Sequence, residues 1–238
     1  MKAVSSISQI ASLMADPKRS AMLWALIDGT PRPADELAVM TGVSSSSACA
    51  HLSLLSSAGL LRLEARGRKR YFRLATPAVG AAIEALASLH LNELRPRVTQ
   101  VKPLQVPLSM RRARLCNGHM GGELAAELLQ RMVTAGWLEG YDGELRVSFA
   151  GRTQLANVGV YIEALAQRPL SNCVICHCNE WSDQGPHLGG SLGQALLTLF
   201  LQSGWLQEQD GARGLQISPL GIQQINRIAR AEPSLLVG

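Results

Sequence analysis

The sequence predicts a mostly α chain with short β-hairpins, an α+β fold. An N-terminal winged helix-turn-helix precedes a C-terminal pair of degenerate, winged-like helix-hairpin-helix repeats. Three observations carry that prediction. Apolar spacing is helical up to Gly59 and switches to a period of two beyond it. A block starting at His119 recurs at His187, 68 positions later. Aromatics make up only 4% of the residues, so Leu and Ala must do the packing, which favours helices.

Pro33 to Met40 reads as a short helix, with Pro33 suited to its first turn and Gly42 just past its end. After a tight turn at Val43, Ser44 can cap a second helix, Ser45–Ala58, that stops at Gly59. Ala48, Leu52, Leu55 and Gly59 recur at spacings of three and four and form its core stripe. The opposite face carries Ser45, Ser46, Ala50 and Ser53, which are small or hydroxylic. Short side chains are what a helix needs to approach base edges in a DNA major groove. Leu61, Leu63 and Ala65 then alternate with Arg62, Glu64 and Arg66, the pattern of a strand with one buried face. Arg66-Gly67-Arg68-Lys69-Arg70 reads as the turn and Tyr71–Leu74 as the return strand. Four basic residues at one hairpin tip repel each other unless an anion lies near, and DNA phosphates supply one. A solvated basic loop is the plain alternative.

Several pieces in order carry a resemblance. They are Asp16-Pro17-Lys18-Arg19, Glu36-Leu37-Ala38, Val43-Ser44, His51-Leu52, Ala58-Gly59-Leu60-Leu61 and the stretch from Gly67 to Leu74. Over residues 1 to about 92 the chain resembles the ArsR/SmtB family of bacterial winged-helix regulators. The resemblance implies a homodimeric DNA-binding repressor, paired through the first helix (Ile7–Met14) and the helix after the wing (Pro77–Leu91). The helix face and the hairpin tip point to DNA contacts at Ser44, Ser45, Ser46, Ser47, Cys49, Ala50 and His51 and at the wing residues Arg66, Arg68, Lys69 and Arg70; Cys49 reads as a packing or DNA-facing thiol, and packing under the wing is the alternative for His51. The partner would be double-stranded DNA with a pseudo-palindromic operator. The family's metal sites do not carry over: residues 35–40 hold no cysteine, and the later helix offers only Glu84, His90 and Glu93 in loose spacing.

Charge divides the chain the same way. Residues 1–100 hold twelve Lys or Arg against seven Asp or Glu, whereas residues 101–238 hold eleven of each. The formal +5 therefore sits in the DNA-binding half. At 238 residues the chain can hold two cores. No apolar run approaches the roughly 18 residues of a membrane span, and the N-terminus is a poor signal peptide. Five cysteines, an odd number, fit free or metal-bound thiols in a reduced cytoplasm better than a disulfide framework, and the resemblance implies that this cytoplasm is bacterial.

Residues 94–109 carry three prolines and read as a linker, leaving residues 1–93 as one domain and 110–238 as another. In the second, the repeats span about 116–166 and 184–230, each a long helix, Gly cap, hairpin and further helix. Two copies suggest a pseudo-twofold pair around one core, with the Gly-Gly pairs at 121–122 and 189–190 allowing close helix approach. The hairpin tips, 139–144 and 207–211, are acidic or neutral, so sensing or dimerisation fits them better than a second DNA contact.

Cys116 and His119 form Cys-x2-His at the entry to the first repeat, and Cys173, Cys176 and Cys178 form Cys-x2-Cys-x-Cys in the connector before the second, which starts at His187. If the repeats pair, these groups converge near the helix starts. Thiolate and imidazole ligands suit zinc, copper(I) or a thiophilic metalloid. Paired thiols also suit redox or persulfide sensing, and helix starts would lower thiol pKa. Trp181 could wall such a site. The alternatives are buried packing thiols and helix-capping histidines. The effector itself is unknown. The leading function is a DNA-binding regulator, a repressor, whose DNA affinity responds to a ligand, metal or thiol oxidation in the C-terminal half. The rivals are a thiol- or metal-dependent enzyme and a protein-interaction module. The chain lacks a Gly-rich phosphate loop, a His-Glu-x-x-His helix and a Gly-x-Ser-x-Gly elbow, which points away from an enzyme.

Overall fold

Polar side chains set the helix ends of the N-terminal part. The computed structural model describes residues 2–67, 69–87, 106–141, 144–166, 174–178 and 185–230. Helix α1 (Lys2–Met14) leads to Asp16, whose Oδ1 accepts from the N–H groups of Lys18 and Arg19, both at 2.9 Å, and starts α2 (Pro17–Ala25). Arg19 donates back to the carbonyls of Leu13 and Ser12 and closes the end of α1. Lys18 Nζ donates to the Thr41 carbonyl at 3.1 Å, at the end of the next helix. The Asp-Pro-Lys-Arg run is thus a capping device.

Strand β1 (Arg32–Pro33) precedes α3 (Ala34–Thr41). Pro33 sits one step earlier than its expected place in the first helical turn, as the cap residue, and pairs with Tyr71. Gly42 closes α3 at φ 65°. Ser44 Oγ accepts from the Ser47 N–H at 3.2 Å and starts α4 (Ser45–Ser57). Ala48, Leu52 and Leu55 are fully buried against α2 and α3. Gly59, expected in that stripe, is exposed; it turns the chain at φ 76°, and Leu60 continues the core.

The wing is β2 (Leu61–Arg66) and β3 (Lys69–Leu74) in a three-stranded sheet of order β1-β3-β2. Its base, Leu61 opposite Leu74, is buried. The expected buried face ends there: Leu63 is 47% exposed and Ala65 is exposed, because the hairpin runs on past the helices that could cover it. Helix α5 (Pro77–Ala87) follows. The remainder of its expected span to Leu91, and linker residues up to 105, lie outside the described residues.

Met1–Val106 and Pro107–Gly238 are separate compact units. The second opens with α6 (Leu108–Arg111), which takes in Leu108 and Ser109 from the end of the expected linker; both are exposed, whereas Met110 is fully buried. The first repeat is β4 (Arg114–Cys116), β5 (His119–Gly121), α7 (Glu123–Thr134), β6 (Leu138–Tyr141), β7 (Glu144–Val147) and α8 (Phe149–Asn157), with α9 (Ile162–Ala166) behind it. The second is β8 (Cys176–Cys178), β9 (His187–Gly189), α10 (Gly190–Gln202), β10 (Leu206–Glu208), β11 (Leu215–Ile217) and α11 (Pro219–Arg227). Each strand pair is a separate two-stranded antiparallel sheet.

Helix, hairpin and next helix are joined alike in both repeats. Trp137 N–H donates to Met132 and Ser148 N–H to Trp137, at 2.9 and 3.1 Å; Trp205 and Ser218 repeat this at 2.9 and 3.0 Å. In the wing, Leu60 N–H donates to Leu55 and Ala75 N–H to Leu60, both at 3.0 Å. One helix-to-hairpin joint therefore occurs three times. Ser148 and Ser218 also cap α8 and α11 through Gly151 and Gly221.

The two repeats share one core, with Leu124, Leu128, Met132 and Leu155 from the first packed with Leu192, Leu196, Phe200 and Ile225 from the second. The strands are exchanged: β5 lies on α10, β9 lies on α7, and β5 meets β9. The expected Gly-Gly helix contact is replaced by closer backbone packing. A Cβ on Gly122 would stand 3.0 Å from two arginine carbonyls, and one on Gly189 would stand 2.9 Å from Cys176 Sγ.

Arg131 ties the ends of the unit together, donating from α7 to the carbonyls of Ile225 and Ile228 at 2.9 and 3.2 Å. Arg131→Ala should lower stability by about 1–3 kcal/mol, because partly buried carbonyls lose a charged donor. Arg152→Ala, on an exposed pair, should stay within about 0.5 kcal/mol. Urea unfolding of both variants checks this, and equal midpoints would remove the Arg131 tie.

Candidate functional site

Helix α4 presents the expected face. Ser44, Ser45, Ser46, Cys49, Ala50 and Ser53 are exposed, and Ser44 Oγ lies 3.1 Å from Ser46 Oγ. Ser47 is half-buried, with its N–H taken by the cap. His51 is half-buried too, and its charge helps hold the Asp16 carboxyl below the ordinary range, after the larger effect of the Arg19 N–H.

The wing turn is shorter than expected. Arg66 pairs with Lys69, so Lys69 and Arg70 belong to β3 and not to the turn. Arg68 lies outside the described residues. Glu64 was not singled out by the sequence, yet it gathers Arg62, Arg66 and Arg73 at 3.3, 3.2 and 3.1 Å. Partial desolvation raises the Glu64 carboxyl, but the Arg66 and Arg62 hydrogen bonds and the charge of Arg73 together hold it below its ordinary value. The Arg66 guanidinium also lies over the Tyr71 ring, 5.1 Å from its centre. Part of the anion expected from outside is therefore internal. Lys69 and Arg70 are exposed, with no ion pair among the described residues.

In the second unit, Cys116-Asn117-Gly118-His119 is a two-residue hairpin. Asn117 and Gly118 both have positive φ, 45° and 85°, the primed turn that Asn-Gly favours. The turn sets Cys116 directly opposite His119. Strands β8 and β9 set Cys178 opposite His187 in the same way. The exchange of β5 and β9 then brings the two Cys–His pairs together. Cys116 Sγ is 3.8 Å from Cys178 Sγ, and His119 Nε2 is 3.2 Å from His187 Nε2. All four donor atoms lie within 4.8 Å of one another. Both histidines and Cys116 are buried, and Cys178 is half-buried. Hydrogen bonding to Cys116, then to His119 and His187, holds the Cys178 thiol far below its ordinary range despite its burial.

Three expectations change here. The thiols sit on strands, not in a loop or at helix starts, so their neighbours and no helix dipole shift Cys178. Cys176 stands against Gly189, outside the four-atom group. The histidines are not helix caps, since Gly122 and Gly189 hold those positions. Cys173 and Trp181 lie outside the described residues.

No protein-family profile matches the chain. It is 31% identical over 218 residues to the uncharacterized HTH-type transcriptional regulator YdfF of Bacillus subtilis (strain 168), covering 91% of this chain and 93% of that protein. The chain belongs to the HTH-type transcriptional regulators. Its winged helix-turn-helix is a DNA-binding domain. Among solved structures, 36% of the chain matches the homodimeric winged helix-turn-helix domain Mb0332 of Mycobacterium bovis, a possible ArsR-family regulator, at 26% identity and a TM-score of 0.33, over 77% of that chain. Reduced HlyU of Vibrio cholerae N16961 matches 36% of this chain and 88% of its own at 26% identity and a TM-score of 0.34. No helix among the described residues of this transcriptional regulator is long and apolar enough to cross a membrane.

Proposed function

We propose that this regulator is a homodimeric, sequence-specific repressor whose DNA affinity is tuned from its C-terminal unit by a ligand, a metal or thiol chemistry. The observation that carries the reading is the cluster of Cys116, His119, Cys178 and His187, buried except for the half-buried Cys178 and drawn equally from two repeats. Any change at such a cluster changes how the repeats pack, and a packing change is what can bias a bound DNA-binding state. The dimer reading rests on α1, where Ile7 and Ile10 are 68% and 40% exposed on one helical face. A second copy would cover that face and set two α4 helices one turn of DNA apart, as a two-fold operator requires.

A mobility shift on DNA upstream of the protein's own gene, with and without thiophilic metals and thiol oxidants, tests the reading. Sedimentation should give a dimer. A Cys116→Ser, Cys178→Ser double variant should still bind the operator and lose the response. Undiminished response in that variant would place the effector elsewhere. The specificity element is tested separately: Ser46→Leu should abolish operator preference, costing about 1–3 kcal/mol of discrimination per misread base. Retained preference in a binding selection would show that another element reads the bases.

A further inference from the structure

The four-residue cluster has the shape of one coordination sphere. Four ligands placed tetrahedrally, with metal–sulfur bonds of about 2.3 Å and metal–nitrogen bonds of about 2.0–2.1 Å, stand about 3.8 Å apart sulfur to sulfur and about 3.3 Å nitrogen to nitrogen. The observed separations are 3.8 Å between the thiols and 3.2 Å between the imidazole nitrogens. Two histidines alone could share one proton between their Nε2 atoms. That pairing does not explain why two thiols from different repeats occupy the neighbouring corners. We infer that Cys116, His119, Cys178 and His187 form a closed, four-coordinate zinc site that locks the two repeats together.

Three further features fit. A thiol and an imidazole come from each hairpin as a directly opposed pair, so each arm is a preformed two-ligand clasp. Two sulfur and two nitrogen donors in tetrahedral array select zinc among the common divalent ions. Gly193 lets the parts come close: a Cβ there would collide with the Leu188 carbonyl oxygen and stand 3.1 Å from the His119 Cβ. With four protein ligands the site keeps no open position for substrate, so its role is to hold structure or to sense, not to catalyse. The inference names a chemistry for the sensing unit proposed above, but metal binding is read independently of DNA binding.

The test uses the full-length protein, purified with zinc and without chelator. Elemental analysis should give one zinc per chain, and replacement by cobalt(II) should give the intense visible bands of a tetrahedral thiolate site. Cys116→Ser and His187→Gln should each weaken binding by more than the roughly 10–100-fold that loss of an outer partner costs. Cys49→Ser and Cys176→Ser should leave it unchanged. Should the ligand variants misfold, chelator titration of the unmodified protein decides. Metal removal should lower the thermal midpoint of the second unit, seen through Trp137 and Trp205, and zinc should restore it. No bound metal, an octahedral cobalt spectrum, or equal loss in Cys176→Ser would overturn the site. A site that binds zinc while DNA affinity ignores chelation would leave this inference standing and sink the proposed sensing role.

Discussion

Gly221→Ala should unfold the second unit at a far lower urea concentration than the unmodified protein, a loss of more than about 3 kcal/mol. The same holds for Gly151→Ala. Both glycines lie in the first turn of a helix laid across the start of the preceding hairpin. A Cβ at Gly221 would stand 2.8 Å from both the carbonyl carbon and Cα of Trp205, with the oxygen closer still; at Gly151 it would stand 2.8 and 2.9 Å from those atoms of Trp137. Nothing there can rotate away, because the obstacle is backbone. The helix would have to lift off, which breaks the Ser218-to-Trp205 and Ser148-to-Trp137 hydrogen bonds together with both serine caps. Gly140→Ala is the control, since a Cβ there meets nothing within 4 Å. Trp137 and Trp205 report unfolding from the joints themselves. If Gly221→Ala matched the control, the close joint would carry no weight in the fold.

Those glycines show where sequence reasoning reached and where it stopped. The repeat was plain from matching residues such as Gly136-Trp137-Leu138 and Gly204-Trp205-Leu206, and it included Gly151 and Gly221 as a matching pair. Their reason was not readable, because the carbonyl each glycine admits is fourteen to sixteen residues earlier and only the folded joint brings it close. The convergence of cysteines and histidines was readable for a similar reason: equivalent positions in paired repeats must meet. The selection of Cys178 over Cys176 was not, since it depends on which residue of β8 lies opposite His187. Asn117-Gly118 carries a local hairpin signal, the dipeptide of a two-residue primed turn. In the wing, a run of basic residues was legible, but Glu64 drawing in three arginines needed the strand register that puts Arg62, Arg66 and Arg73 on its side.

That register sharpens what the wing should do on DNA. Lys69 and Arg70 are exposed, with no ion pair among the described residues, whereas Arg66 is already held by Glu64 and Tyr71. A phosphate contact releases counterions, so each one adds about 0.9 to the slope of log affinity against log salt. Lys69→Ala with Arg70→Ala should therefore make the slope shallower by about two units, on every DNA sequence alike. Across a fourfold rise in salt the variant should lose about tenfold less affinity than the unmodified protein does. Arg66→Ala alone should change the slope less, because its charge is partly neutralised before DNA arrives. Glu64→Gln should act in the opposite sense, freeing three arginines and steepening the slope. The fold should survive all of these changes, since only the base of the hairpin, Leu61 and Leu74, is buried. Fluorescence anisotropy at several salt concentrations, on operator and unrelated DNA, reads every slope. An unchanged slope in the double variant would take the wing out of the DNA interface, and a shallower slope in Glu64→Gln would show that its arginines point away from the phosphates.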